Sequence, residues 1–263
     1  MEKDDLKIFI CTHKIIENAI PFDPRFVIAA QNKDIPGIVG HDIIYMDDEF
    51  TQKHNICYGE GCQIRWLWKH QEYIPKYIGI VHYRRFFVNL INENTLNQIP
   101  KLIDIHKAIL PHRLIHLEHE YGPLNINVAF NQHVPYEFIL LNNAVNKCNN
   151  IKFIEAFNKF LMSPYQLPFN IFIMSRENFI EMCDIVFPIL EEYDKLAGFT
   201  CNDDVKNKIN WYADNKKWKP YKIEWNYRLQ GFWLEFLTDT FYRYKFSQGS
   251  VLSSPVKIIK NKG

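Results

Sequence analysis

Apolar residues along this chain fall into short runs closed by polar residues, and these alternate with longer stretches of helical period. Lys7-Ile8-Phe9-Ile10-Cys11-Thr12 predicts a first buried strand, with a polar turn at His13-Lys14. Phe26 to Ala30 predicts a second, reached through a loop holding Pro21 and Pro24. Residues 31–57 carry Asp, Gly and Pro without helical period and predict a loop. Gly59 to about Gln71 predicts a helix with an indole-rich face, and Tyr77 to His82 the next strand. Ile103 to Leu110 reads as a strand entering Pro111, and 112–150 as loop with a helix near 134–147. Phe169 to Met174 reads as a strand, with Ser175 the N-cap of the helix after it. Phe179, Met182, Cys183, Val186, Phe187 and Leu190 recur there at helical spacing, and Gly198 is its stop. Asp203 or Asp204 opens another helix to about Asn215, and a last one runs from Tyr227 to Tyr244. Strand and helix in alternation predict an α/β fold with a mostly parallel central sheet flanked by helices. No repeat or linker divides the chain, which predicts a single domain over 1–263.

Composition narrows the function classes. A net charge of +1 over 263 residues, with no basic stripe, argues against nucleic acid as a partner. The acidic start Met-Glu-Lys-Asp-Asp is unlike a secretory leader, and no apolar run approaches the ~20 residues of a membrane span. The expected location is therefore cytoplasmic. Lys257, Lys260 and Lys262 offer at most a peripheral contact with an anionic membrane surface. The six cysteines form no C-x-x-C pair and read as reduced thiols. Aromatic residues reach 15%, a surplus that suits either a large core or a site that stacks rings.

The chemistry concentrates after the strand at 77–82, in Tyr83, Arg84 and Arg85 beside His82. Packing does not ask for two guanidiniums at the end of a buried strand. Ligands of open α/β sheets sit outside the carboxyl ends of strands, and a guanidinium fork matches phosphate oxygens. The motif therefore predicts an anion site, with a diphosphate as the expected group. Asp47-Asp48 is the nearest acidic pair for a metal, and also reads as an ordinary solvated loop. His112, His116 and His119 have the spacing of one helix face, but Pro111 before them and Gly122-Pro123 after them oppose a zinc site. There is no G-x-S-x-G elbow, no G-x-G-x-x-G and no Walker A loop.

Six segments, in order, resemble a bacterial family of capsular and exopolysaccharide glycosyltransferases, long described only as a domain of unknown function and including galactofuranosyltransferases. They are Cys11-Thr12-His13-Lys14; His54-Asn55-Ile56-Cys57-Tyr58-Gly59-Glu60 leading to Trp66-Leu67-Trp68-Lys69-His70; and His82-Tyr83-Arg84-Arg85-Phe86-Phe87. Ile109-Leu110-Pro111, Asn170-Ile171-Phe172-Ile173-Met174, and Arg228 with Gly231-Phe232 and Glu235 complete the series. Gly59 stands where the family has a cysteine, Phe236 where it has an arginine, and Phe130 and His133 only loosely echo its Q-Y…H segment.

The resemblance implies a GT-A-like fold acting on a nucleotide-activated sugar, UDP-galactofuranose being one candidate, and on a saccharide acceptor of a surface polysaccharide. Its nucleotide-sugar half would span 7–111, its acceptor half 112–245, and 246–263 would be a tail. Thr12, His13 and Lys14 would meet the nucleotide, and Asn55, Tyr58, Glu60, Lys69, Tyr83, Asn170 and Arg228 would order the donor. Arg84 and Arg85 would neutralise the departing diphosphate in place of a metal, so no cofactor is expected; Mg²⁺ or Mn²⁺ is the alternative. His82, His133, Asp204 and Glu235 are the candidate bases. Other polysaccharide-assembly enzymes are candidate partners. The competing reading is a non-catalytic carbohydrate- or nucleotide-binding module.

Overall fold

The computed structural model of the protein describes residues 5–16, 20–88, 93–115, 124–131, 133–215, 223–247 and 249–258. Strand β1 (Leu6–Thr12) pairs in parallel with β2 (Phe26–Ala30) on one side and β4 (Tyr77–His82) on the other, and β2 carries β3 (Ile43–Tyr45) in parallel. Beyond β4 one strand runs the other way. β9 (Phe172–Ser175) is antiparallel both to β4 and to β6 (Ala108–Pro111), and β6 carries β10 (Val251–Ser254) in parallel. The order is β10-β6-β9-β4-β1-β2-β3. The chain travels outward from β1 to β3 and then returns to β4 on the other side of β1. The crevice between the carboxyl ends of β1 and β4 is therefore a switch point of the sheet.

The near-continuous apolar runs reflect burial on both faces of the sheet. The pleat sends Phe9 and Cys11 of β1, with Ile78 and Ile80 of β4, into one core layer. Leu6, Ile8 and Ile10, with Tyr77 and Val81, enter the other. The first layer is covered by α2 (Gly61–Lys69), α5 (Pro135–Lys147), α6 (Ile151–Leu161), α7 (Arg176–Ala197), α8 (Asn202–Asp214) and α9 (Leu229–Lys245). The second is covered by α3 (Glu93–His106). Ser175 caps α7 by accepting from the Asn178 N–H, and Gly198 ends that helix with a φ of 75°. The expected mostly parallel central sheet with flanking helices is thus present, with β9 an antiparallel member between β4 and β6.

Local readings fail in four places. The stretch 31–57 holds β3 and α1 (Glu49–His54), whose N-cap Asp48 accepts from the Thr51 N–H. Ile103 belongs to the end of α3, where Leu96, Ile99 and Ile103 are buried at helical spacing, and Lys107 turns the chain into β6 with a φ of 63°. Helix α6 was not anticipated, although Asn150 caps it through the Phe153 N–H. Finally, residues 251–258 are structural rather than a tail. They form β10 and then β11 (Val256–Ile258), which is antiparallel to β5 (Arg85–Phe87) and places Ile258 opposite Arg85. All six cysteines are free thiols. No described helix is long and apolar enough to cross a membrane.

Candidate active site

Three strand ends and two helix starts converge at the switch point. Thr12 closes β1, Gln31 follows β2 and His82 closes β4, while Glu60 immediately precedes α2 and Arg228 immediately precedes α9. The Tyr83 N–H donates to the Cys11 carbonyl at 3.2 Å, so the two strands stay joined past the end of β4. Beneath them Gln63, 1% exposed, donates to the carbonyls of Thr12 (3.1 Å) and Ala29 (3.3 Å). Gln31 donates to the Gly59 carbonyl at 2.6 Å and to Gln63 Oε1 at 3.1 Å. These two buried amides fix the floor from which Glu60 rises.

Glu60 organises the charges. Its Oε1 accepts from Asn170 Nδ2 at 3.0 Å, and its Oε2 pairs with the Arg228 guanidinium at 3.0 Å. Burial raises its carboxyl, but His82, Arg228 and the Asn170 hydrogen bond outweigh that and hold it at about 2. His82 is 6% exposed, and burial lowers it to about 4 despite the neighbouring Glu60. At neutral pH the pair is therefore carboxylate and neutral imidazole, and Arg228 supplies the balancing charge. Arg85 donates to His82 Nδ1 at 3.0 Å. This assigns the imidazole hydrogen to Nε2, which faces Glu60 Oε1 at 3.5 Å. Arg84 lies over the Tyr83 ring at 4.9 Å, and the exposed His13 meets the same ring edge-on at 5.5 Å. Three guanidiniums, from Arg84, Arg85 and Arg228, thus face one ionised carboxylate in the same cleft. About 20 Å³ is free at its centre, room for about one water.

A second cavity of about 250 Å³ adjoins the first, and Glu60, Arg85 and Arg228 line both. Glu235, two turns into α9, faces this cavity. Burial and the neighbouring Glu60 raise its carboxyl to about 8, against a backbone hydrogen bond from Phe169 and the charges of Arg228 and Arg85. Glu60 and Glu235 are thus two carboxyl groups held in opposite protonation states. His133 lines the same cavity, with its ring 4.5 Å from that of Phe232. Phe169 adopts a φ of 63°, a conformation that costs an aromatic residue about 1–3 kcal/mol. Its ring lies 3.9 Å under the Arg85 guanidinium, and the next residue is the Asn170 that holds Glu60.

The structure therefore gathers Thr12, His13, Glu60, His82, Tyr83, Arg84, Arg85, His133, Asn170, Arg228 and Glu235 around two joined cavities. Lys14 is exposed next to His13, its backbone tied to the Thr12 hydroxyl. Four expected residues lie elsewhere. Tyr58 is fully buried and donates to Asp194 at 2.6 Å. Asn55 accepts from Asn202 at 2.9 Å, joining the loop before α2 to the start of α8. Lys69 is exposed at the far end of α2, its ammonium 3.6 Å from the Trp68 ring; at about 1.5 Å per residue, the helix carries it away from Glu60. Asp204 accepts from Thr200 and from the Cys201 N–H, which makes it a cap of α8 rather than a base. Asp47 pairs with Lys33 at 3.3 Å. His116 and His119 lie outside the described residues; within them, no group of three or more His, Cys, Asp or Glu has the arrangement of a metal site. The sequence reading missed Gln31, Gln63, Phe169 and Trp225, none of which carries a motif of its own.

Gly59, where the chain departs from the resembled family, sits in a backbone conformation that suits glycine. Its φ is 56°, and a Cβ there would lie 2.8 Å from the Arg228 guanidinium. Gly59→Ala is expected to destabilise the fold by about 1–2 kcal/mol through the left-handed backbone, and to displace Arg228 from Glu60. Thermal unfolding reads the result as a melting temperature lowered by several degrees; an unchanged value would contradict the left-handed backbone at Gly59.

An open sheet with this strand order and a polar cleft at its switch point defines a GT-A-like fold. The family described as Domain of unknown function (DUF4422) matches residues 7–214, and the chain belongs to it. Among solved structures, the apo form of WbbM, a bifunctional glycosyltransferase, aligns with a TM-score of 0.73 at 16% identity. The match covers 98% of this chain and 46% of that one, so this chain spans less than half of WbbM, and identity at this level shows a shared fold alone. No curated protein matches.

Proposed function

We propose that this chain is a glycosyltransferase that moves a sugar from a nucleoside diphosphate to a hydroxyl group of a saccharide acceptor. The observation that carries this reading is the wall of Glu60, Arg85 and Arg228 shared by the switch-point cleft and the 250 Å³ cavity. A diphosphate set over the cleft meets Arg84, Arg85 and Arg228, and its sugar then points to the shared wall. Entry requires the exposed His13 and the Arg84 side chain to give way, because the cleft itself is tight.

In a direct displacement the acceptor oxygen bonds to the anomeric carbon. The bond from that carbon to the diphosphate breaks, and its electron pair leaves with the nucleotide. Arg84 and Arg85 stabilise the charge that develops there. Glu235, once ionised, takes the acceptor proton. His82 is a positioning residue in this scheme, holding Arg85 on one nitrogen and facing Glu60 with the other. UDP-galactofuranose is the donor suggested by the family resemblance, and a surface polysaccharide the acceptor.

UDP is expected to bind with a chelator present. At about 100 times its Kd it adds ~2.7 kcal/mol, a rise of several degrees in melting temperature. Strict dependence on Mn²⁺ or Mg²⁺ would overturn the metal-free scheme. Release of UDP from a panel of UDP-sugars separates a transferase from a binding module, since a module leaves every donor intact over long incubation.

A further inference from the structure

The 3₁₀ turn Ile223–Arg228 leaves its one indole exposed. Asn226 is buried, Tyr227 donates to Asn210 at 2.8 Å, and Arg228 pairs with Glu60. Trp225, between these anchors and the start of the turn, is 56% exposed and lies on the rim of the Glu235 cavity. An indole left in water beside a cavity forgoes the burial that usually holds Trp in place. Phe232 meets it at 6.2 Å, ring edge to ring face. Phe232 is itself fixed, because the Gly231 N–H donates to the Cys57 carbonyl at 3.0 Å and a Cβ on Gly231 would crowd the Tyr58 carbonyl at 3.2 Å.

Polar side chains, Gln166, His133 and Glu235, line the same cavity. The site thus sets aromatic rings and polar side chains around one cavity. A sugar ring offers partners to both, with C–H bonds on its faces and hydroxyl groups around its edge. The volume, about 250 Å³, lies below the ~300–1,000 Å³ typical of sites for drug-sized ligands and suits a single ring.

We propose that Trp225, backed by Phe232, is the stacking platform of an acceptor subsite that takes one pyranose or furanose ring at the mouth of the Glu235 cavity. The proposal rests on the transferase reading and adds to it the residue that selects the acceptor. A nucleobase is the rival occupant, since it too stacks on indole.

The test uses the full chain with ¹⁵N-labelled indoles. The Trp225 resonance is identified by its disappearance in Trp225→Phe. The probes are methyl glycosides of glucose, galactose and mannose at tens of millimolar, and UDP in a separate titration. At least one glycoside is expected to shift the Trp225 signal, and UDP to leave it in place. Trp225→Ala is expected to weaken glycoside binding at least tenfold, with Trp225→Tyr retaining most of it. Trp211, equally exposed (52%) on α8, serves as the control, and Trp211→Ala should bind glycosides as the parent does. A Trp225 signal moved by UDP, or by none of the glycosides, overturns the proposal. Glycoside shifts at Trp225 without UDP binding or donor turnover would instead refute the transferase reading and leave a saccharide site standing.

Discussion

Arg85→Ala is expected to lower kcat by about 10²–10³-fold, the loss seen when one preorganised donor is removed from a developing negative charge. Arg85, like Arg228, lines both cavities, so it can follow the diphosphate as its bond to the sugar breaks. It also donates to His82 Nδ1 and rests on Phe169, so its place is set from two sides before any ligand arrives. Arg85→Lys is expected to recover little, because an ammonium has neither the planar fork nor the flat face that stacks on a ring. Arg84→Ala should act in the same direction. Steady-state release of nucleotide from a UDP-sugar measures the effect, with circular dichroism confirming the fold. Turnover near the parent value in Arg85→Ala would end the idea that arginine does the work of a metal here.

Glu235→Gln is expected to cost about 10²–10⁴-fold in kcat/KM, the usual contribution of a positioned base. Its pH dependence is more diagnostic. The Glu235 carboxyl is raised to about 8 from an ordinary 4.5, so on the proposed scheme the parent is expected to gain its base as pH rises through about 8, with kcat/KM climbing alongside. The glutamine variant should show a flat profile over that range. Stability should move the other way. A raised carboxyl favours the folded state fully below about 4.5, and that contribution is lost as pH rises through about 8. Melting temperature should therefore fall less steeply between pH 5 and 8 in Glu235→Gln than in the parent. A variant with the parent's rising kcat/KM limb would move the base elsewhere, with His133 next in line by position.

Much of this site was legible because strand ends announce themselves. A run such as Tyr77 to Val81 can only be a buried strand, and charges at its end must face the edge of the sheet. Arg228 and Glu235 were legible as one helix face because seven residues make two turns. What failed has equally physical causes. Tyr58 and Asn55 sit in a motif beside Glu60, but the bend at Gly59 sends the residues before it into the core and toward α8. Lys69 follows Glu60 closely in sequence, yet a helix converts nine residues into distance. Asp204 reads from the sequence both as a helix start and as a candidate base, and it is the helix start that recruits its short side chain. Phe169 left no trace, since a left-handed turn at an aromatic residue contradicts every local preference and exists only because the surrounding fold enforces it.

The pairing of β11 with β5 places Ile258 opposite Arg85, so the strand that begins with Arg85 gains its second neighbour from the far end of the chain. Closing so long a loop costs conformational entropy that the pairing must offset. The edge that carries Arg85 is therefore complete only when residues 256–258 lie along it, so whatever loosens that segment acts on the guanidinium from a distance.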